Sequence, residues 1–204
     1  MVRVEGADFN LFGAVELKGV SVFVPGEASA EPFFRAPTVL LRHRPWGLFV
    51  HGHLVPTEIV CVAPTVTLEH DVRTDSYNVS RLFAAARPPQ ATPAGPLATI
   101  RVRQGRLRVV EKDGQLRQEV GTTDVEMSML PQGPTTYEVR FEQRLANSER
   151  ATQGTLELDV AEGQVRAVSG VLPLPTLEKA LPRKYAQLRA RYDIGGEVRL
   201  NSGT

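Results

Sequence analysis

What this 204-residue chain has least of is cysteine, and its one thiol, Cys61, cannot close an internal disulfide. A disulfide framework is therefore excluded, although that alone does not decide the compartment. Charge of one sign is also lacking. Twenty-four Lys and Arg stand against 23 Asp and Glu, a net charge of +1, which argues against the basic surplus of a nucleic-acid-binding domain. No apolar run approaches the roughly 20 residues needed to cross a bilayer. The opening MVRVEGADFN is too polar for a signal peptide, so the chain as given is expected to be soluble. The closing NSGT follows at once on the start of a strand, the pattern of a fragment. No G-x-S-x-G elbow and no glycine-rich phosphate loop is present.

What the chain has in quantity is alternation. GVSVFVP puts Val20, Val22 and Val24 on one face. PTVLLRHRP alternates more loosely around Val39 and Leu41, and TEIVCVAPTVTLEH carries Ile59 and Cys61, then Val66 and Leu68 after Pro64. Period two with one apolar side predicts a sheet that is dry on one face. Pro64 lacks a ladder donor and predicts a bulge or an edge position. Trp46, Leu48, Phe49 and Val50 suggest one helical turn closed by Gly52. A short helix is predicted from Val79 to Ala86, with Asn78 as its N-cap and Val79, Leu82 and Phe83 as its apolar stripe.

ARPPQATPAGP (86–96) is the clearest boundary, an extended linker or surface loop. It divides the chain into an N-terminal β segment (1–86), the proline-rich connection (87–96) and a C-terminal region (97–204) expected to continue the same sheet. In the last region Ile100 and Val102, Leu107 and Val109, Met127, Tyr137, Val139 and Phe141, and Leu156 and Leu158 recur on alternating positions. Asp113-Gly114 signals a two-residue hairpin, and further turns are expected at 131–134 and Glu162-Gly163. Successive strands with short turns predict an antiparallel meander. The period then changes: Leu177, Leu181, Tyr185, Leu188 and Tyr192 predict an amphipathic helix over 177–193, kinked or split at Pro182 and stopped by Gly195-Gly196.

Candidate chemistry is thin. His51 and His53 form an H-x-H pair with His43 upstream, yet Gly52 sits between them at an expected turn, and turn histidines are favoured over a metal site. Glu69, His70 and Asp71 are neighbours on a strand, so they point to alternate faces and cannot converge on one substrate atom. Cys61 lies among Ile59, Val60, Val62 and Ala63, a setting that keeps a thiol inert. The arginines of RVRQGRLRV and RKYAQLRAR are read as wet faces. No catalytic residue, metal or cofactor is expected.

The apolar rows outnumber the helices available to cover them. The expected fold is thus mainly β: a twisted antiparallel sheet curled into a half-pipe with an apolar groove, and short helices at its edge or end. The predicted groove lining is Val20, Val22, Val39, Leu41, Ile59, Val66, Leu68, Ile100, Val102, Leu107, Val109, Met127, Tyr137, Val139, Phe141, Leu156 and Leu158. Plain core packing is the competing reading for each of them.

Three phrases, LFGAVELKGVSVFVPG, FFRAPTVLLRHRPWGLFVHGHL and EIVCVAPTVTLEHDVRTDSYNVSRLF, resemble the N-terminal region of the AsmA-like proteins. The matching places are Gly19–Val24, Ala36–Leu41, Leu48–Gly52, Ile59, Pro64, Val66, Leu68, Asp75, Asn78 and Leu82. LATIRVRQGRLRVVEKDG, with Gly105 and Asp113-Gly114, is similar to a later phrase, and so is VSGVLPLPTLEKALPRKYAQLRARYDIGGEVRL. Ser76-Tyr77 replaces the glycine usual before the Asn, which implies an altered turn. The resemblance covers most of residues 9–200 and contains no catalytic signature.

It implies a non-enzymatic, bridge-like lipid transfer protein related to the TamB group. Such a protein is anchored in the bacterial inner membrane, extends through the periplasm, and carries phospholipid acyl chains along its groove between membranes. The anchor is not in this sequence. A rival expectation is a structural or assembly module of the cell envelope that binds protein partners through an open sheet edge.

Overall fold

A computed structural model describes residues 1–10, 14–24, 31–44, 55–85, 96–144, 152–161, 164–173 and 197–201. The predicted turn at Trp46–Val50, the pair His51 and His53, Glu162-Gly163 and the helix over 177–193 lie outside these residues. The described part is mainly β, one large mixed and mostly antiparallel sheet that is not closed into a barrel.

Its first strands are β1 (Val2–Arg3), β2 (Gly6–Phe9), β3 (Ala14–Val22) and β4 (Phe34–His43). Next come β5 (Pro56–Val62), β6 (Thr65–Asp71), β7 (Ser76–Tyr77) and the helix α1 (Asn78–Ala85). The later strands are β8 (Thr99–Asp113), β9 (Leu116–Pro131), β10 (Thr136–Arg144), β11 (Thr152–Asp159), β12 (Gln164–Pro173) and β13 (Glu197–Asn201). Both β1 and β2 pair with β3 and form one edge of the described sheet, and β13 forms the other.

One pairing departs from the expected meander. β5 and β6 run end to end beside β8 and parallel to it, Ile59 opposite Ile100 and Val66 opposite Leu107. Parallel neighbours need a crossover, and the chain between Asp71 and Thr99 supplies it. Strands before and after the proline-rich connection are therefore central neighbours in a single sheet.

A crease crosses this half of the sheet. Residues directly opposed in a ladder share a face, so the pairings trace the apolar side from strand to strand. On that side, successive positions jump by three instead of two at one level: Val4 to Ala7, Leu17 to Val20, Ala36 to Val39 and Val102 to Gly105. Between β5 and β6 the same slip falls at Ala63-Pro64. The extra residues include Gly19, Ala63 and Gln104, with φ of 60°, 48° and 54°, a region that an L side chain enters only at some cost. Because each of these neighbours carries the slip, their registers stay continuous. β9 does not carry it, so β8 bulges against β9 between Val102 and Gly105. A bulge bends its strand, and slips aligned at one level concentrate that bend in a line. Pro64 thus sits at a bulge in the sheet interior and is fully buried. Arg106 and Ala63 close the crease with backbone bonds, Arg106 N–H to Pro64 O at 2.7 Å and Ala63 N–H to Arg103 O at 2.8 Å.

Two local expectations shift. The β8–β9 turn is Gly114-Gln115, with Gly114 at φ 63° in its first central position, one residue later than expected. Asn78 opens α1, but its side chain serves β6 instead of the helix. Its Oδ1 accepts from Glu69 N–H at 3.1 Å and its Nδ2 donates to Thr67 O at 2.9 Å. The cause is an edge that needs filling: β4 reaches only Thr65 and Val66, and β7 only His70 and Asp71. Buried backbone groups left between them need partners.

Candidate functional site

The registers place all the predicted apolar positions on one face. Leu17, Val39, Cys61, Val102, Met127 and Phe141 form one row across β3, β4, β5, β8, β9 and β10. Leu41, Ile59, Ile100, Met129, Val139 and Leu156 form the next, and Pro131, Tyr137 and Leu158 a third. Beyond the crease the face continues through Val22, Phe34, Val66 and Leu107, then through Leu68 and Val109. Cys61, Val125 and Met129, which alternation aligns with Ile59 and Met127, belong to this face too, and so does Leu17, which alternation alone did not single out.

Burial falls off from the centre of this face. Val20, Ala36, Val39, Cys61 and Val102 form a buried cluster, with Phe34, Leu41, Ile59 and Met127 packed against it. Tyr137 and Val139 are buried as well, whereas Leu156 and Leu158 are half-buried. Tyr137 places its hydroxyl on Ala98 O at 2.9 Å, and burial pushes its phenol up from the ordinary value. Burial likewise raises the Cys61 thiol, which disfavours the reactive thiolate.

The opposite face is polar and ion-paired. Glu69, 5% exposed, bonds Arg117 at 2.5 Å and Lys112 at 3.4 Å. Glu31 meets Arg117 at 3.1 Å and also Arg108, which in turn meets Glu119 at 2.7 Å. Three acids and three bases thereby neutralise one another around the buried Glu69. Two concavities, of about 460 and 610 Å³, are lined by Arg101, Arg103, Arg106, Glu126, Arg140 and Glu142 among others. Alternation found the arginines but gave no hint of these concavities, because a hollow depends on how strands curve relative to one another.

The Glu69-His70-Asp71 run separates as alternation requires. Glu69 joins the ion pairs, and Asp71 accepts from Arg73 N–H at 2.9 Å and Thr74 N–H at 3.3 Å within its turn. His70 turns to the apolar side and is 3% exposed. There its Nε2 lies 2.9 Å from Asp75 Oδ1, and its ring tilts against Tyr77 at 4.8 Å. Asp75 is the partner that sequence reasoning missed; the β6–β7 turn folds it back. His43, also buried, stacks on Phe9 at 6.1 Å between ring centres. Among the described residues no group of His, Cys, Asp and Glu has the arrangement of a metal site, and no helix is long and apolar enough to cross a membrane.

The sheet thus presents an extended apolar face bordered by a neutralised polar one. No known protein family, curated protein or solved structure matches this chain.

Proposed function

We propose that the apolar face binds lipid acyl chains and that the protein is a non-enzymatic lipid-binding or lipid-transfer segment of an envelope protein. The observation that carries this reading is the continuity of the face. It runs unbroken from β3 to β11, and the crease, which slips the phase of each strand it crosses, leaves that continuity intact. A sheet not closed into a barrel leaves such a face able to accept a chain along its length. Each acyl CH₂ removed from water contributes about 0.8 kcal/mol, so affinity needs no polar recognition. The AsmA-like phrases of the sequence favour phospholipid as the cargo, a periplasmic location and an inner-membrane anchor outside this segment.

Purified protein examined by native mass spectrometry and organic extraction should carry phospholipid. Met127→Arg and Leu156→Asp, which place charge at half-buried positions in adjoining rows of the face, should each abolish it while circular dichroism still reports a folded sheet. Protein that is free of lipid after purification and fails to take any up from phosphatidylethanolamine–phosphatidylglycerol vesicles would sink the reading.

A further inference from the structure

The β1–β2 edge is complementary to itself. Its apolar-side residues are Val2, Val4, Ala7 and Phe9, because the crease slips the alternation between Val4 and Ala7. That slip makes the pattern palindromic about the Glu5–Gly6 peptide. Reading the edge against its own reverse sets Val2 opposite Phe9 and Val4 opposite Ala7 on one face. On the other face it sets Arg3 opposite Asp8, a cation against an anion.

The backbone agrees with this register. Met1 exchanges bonds with Phe23 (3.0 and 2.8 Å) and Asn10 N–H donates to Ala14 O at 3.2 Å. Antiparallel alternation then aims the N–H and C=O groups of Val2, Val4, Ala7 and Phe9 away from β3. These are the same residues that the palindrome brings opposite one another, so each such pair can exchange two backbone bonds. Nothing among the described residues pairs with this outer side. Val2 is 64% exposed, Val4 42% and Phe9 55%, an apolar edge of the kind that recruits another strand.

We propose that two copies of this chain pair antiparallel through the β1–β2 edge about a two-fold axis at Glu5–Gly6. Such an interface is isologous and closes on itself. It joins the two apolar faces side by side into one surface of double width, with Arg3 of each copy reaching Asp8 of the other beside the Lys18 that already pairs with that carboxylate at 2.6 Å. One strand per copy buries well under the roughly 800 Å² per partner of a standard interface, so the expected dissociation constant is on the order of tens of micromolar.

Sedimentation velocity from about 1 to 300 μM should show a monomer–dimer equilibrium. Arg3→Asp alone and Asp8→Arg alone each place like charges opposite twice per dimer and should weaken it at least about tenfold. An equimolar mixture of the two variants restores both pairs and should recover the dimer. Val4→Pro, which removes an outward N–H, should abolish it. Circular dichroism should show the variants folded. Wild-type protein that stays monomeric over the whole range overturns the proposal. So does a dimer indifferent to Arg3→Asp, a mixture that fails to recover, or growth beyond dimer, which would mean that the edge pairs with a different strand.

Discussion

The sheet has two halves that obey different rules. From Gly121 of β9 through β10 to β11 the apolar residues alternate without interruption, so Met127 and Met129, Val139 and Phe141, and Leu156 and Leu158 share a face by period two alone. From the β1–β2 edge to β8 every strand slips phase once, at the level of Gly19, Ala63 and Gln104. A slip in a single strand would turn its far half inside out. Slips aligned across neighbours keep the dry face dry and spend the irregularity as a bend. The boundary between the two regimes is β8, the strand that bulges against its regular neighbour.

Breaking the alignment tests this contrast most severely. Deleting Ala63 while β5 keeps its register should throw Val66 and Leu68 onto the polar face and bring Glu69 toward the apolar one. A loss of about 3 kcal/mol or more is expected, and thermal melting should show it as a large fall in Tm. Survival of a wild-type transition would mean that the crease is not cooperative.

A milder test leaves chain length alone. A Cβ on Gly105 would lie 2.5 Å from Val102 Cγ1 and 2.8 Å from the Val125 carbonyl, whereas one on Gly133, in the β9–β10 turn, meets only Thr136 at 4.0 Å. Gly105→Val should therefore cost about 2–3 kcal/mol in urea unfolding and Gly133→Ala less than about 0.5 kcal/mol. Equal costs would remove the distinction between bulge and turn.

The smallest effect is electrostatic and sits beside the second β8–β9 irregularity, where the register shifts between Val109 and Val110. Thr122 and Arg108 hold the Glu119 carboxyl below its ordinary value of 4.5. A depressed folded value contributes stability that is present above the ordinary value and lost as pH falls below it. Glu119→Gln should accordingly flatten the acid limb of the stability profile below about pH 4.5. The change should be slight, because exposed pairs contribute little. An unchanged acid limb would show that the pair is screened out.

Most of the dry face was legible in the sequence because alternation is a local property. Val39 and Leu41, or Val139 and Phe141, declare their common face without reference to any neighbour. Pro64 also declared its irregularity, since a missing donor is written in the residue. The breadth of the crease was not legible: Gln104 and Ala63 carry no mark of a left-handed backbone, and only their places beside Pro64 and Gly105 demand it. Nor did the sequence show Asp75 reaching His70, or Asn78 bonding β6 instead of capping α1. Those partners are chosen by which edge happens to be left open.

The sequence by itself determined the mainly β class, the separation of Glu69 from His70 and the membership of the apolar rows. Each of these follows from a two-residue repeat and the chemistry of single side chains. Tertiary structure alone decided that β5 and β6 lie parallel to β8, that five successive strand positions, from β1–β2 to β8, slip at one level, and that the outermost of them reads the same in both directions. Strand neighbours are selected by closure of distant segments and by the satisfaction of every buried backbone group, quantities that no local pattern contains.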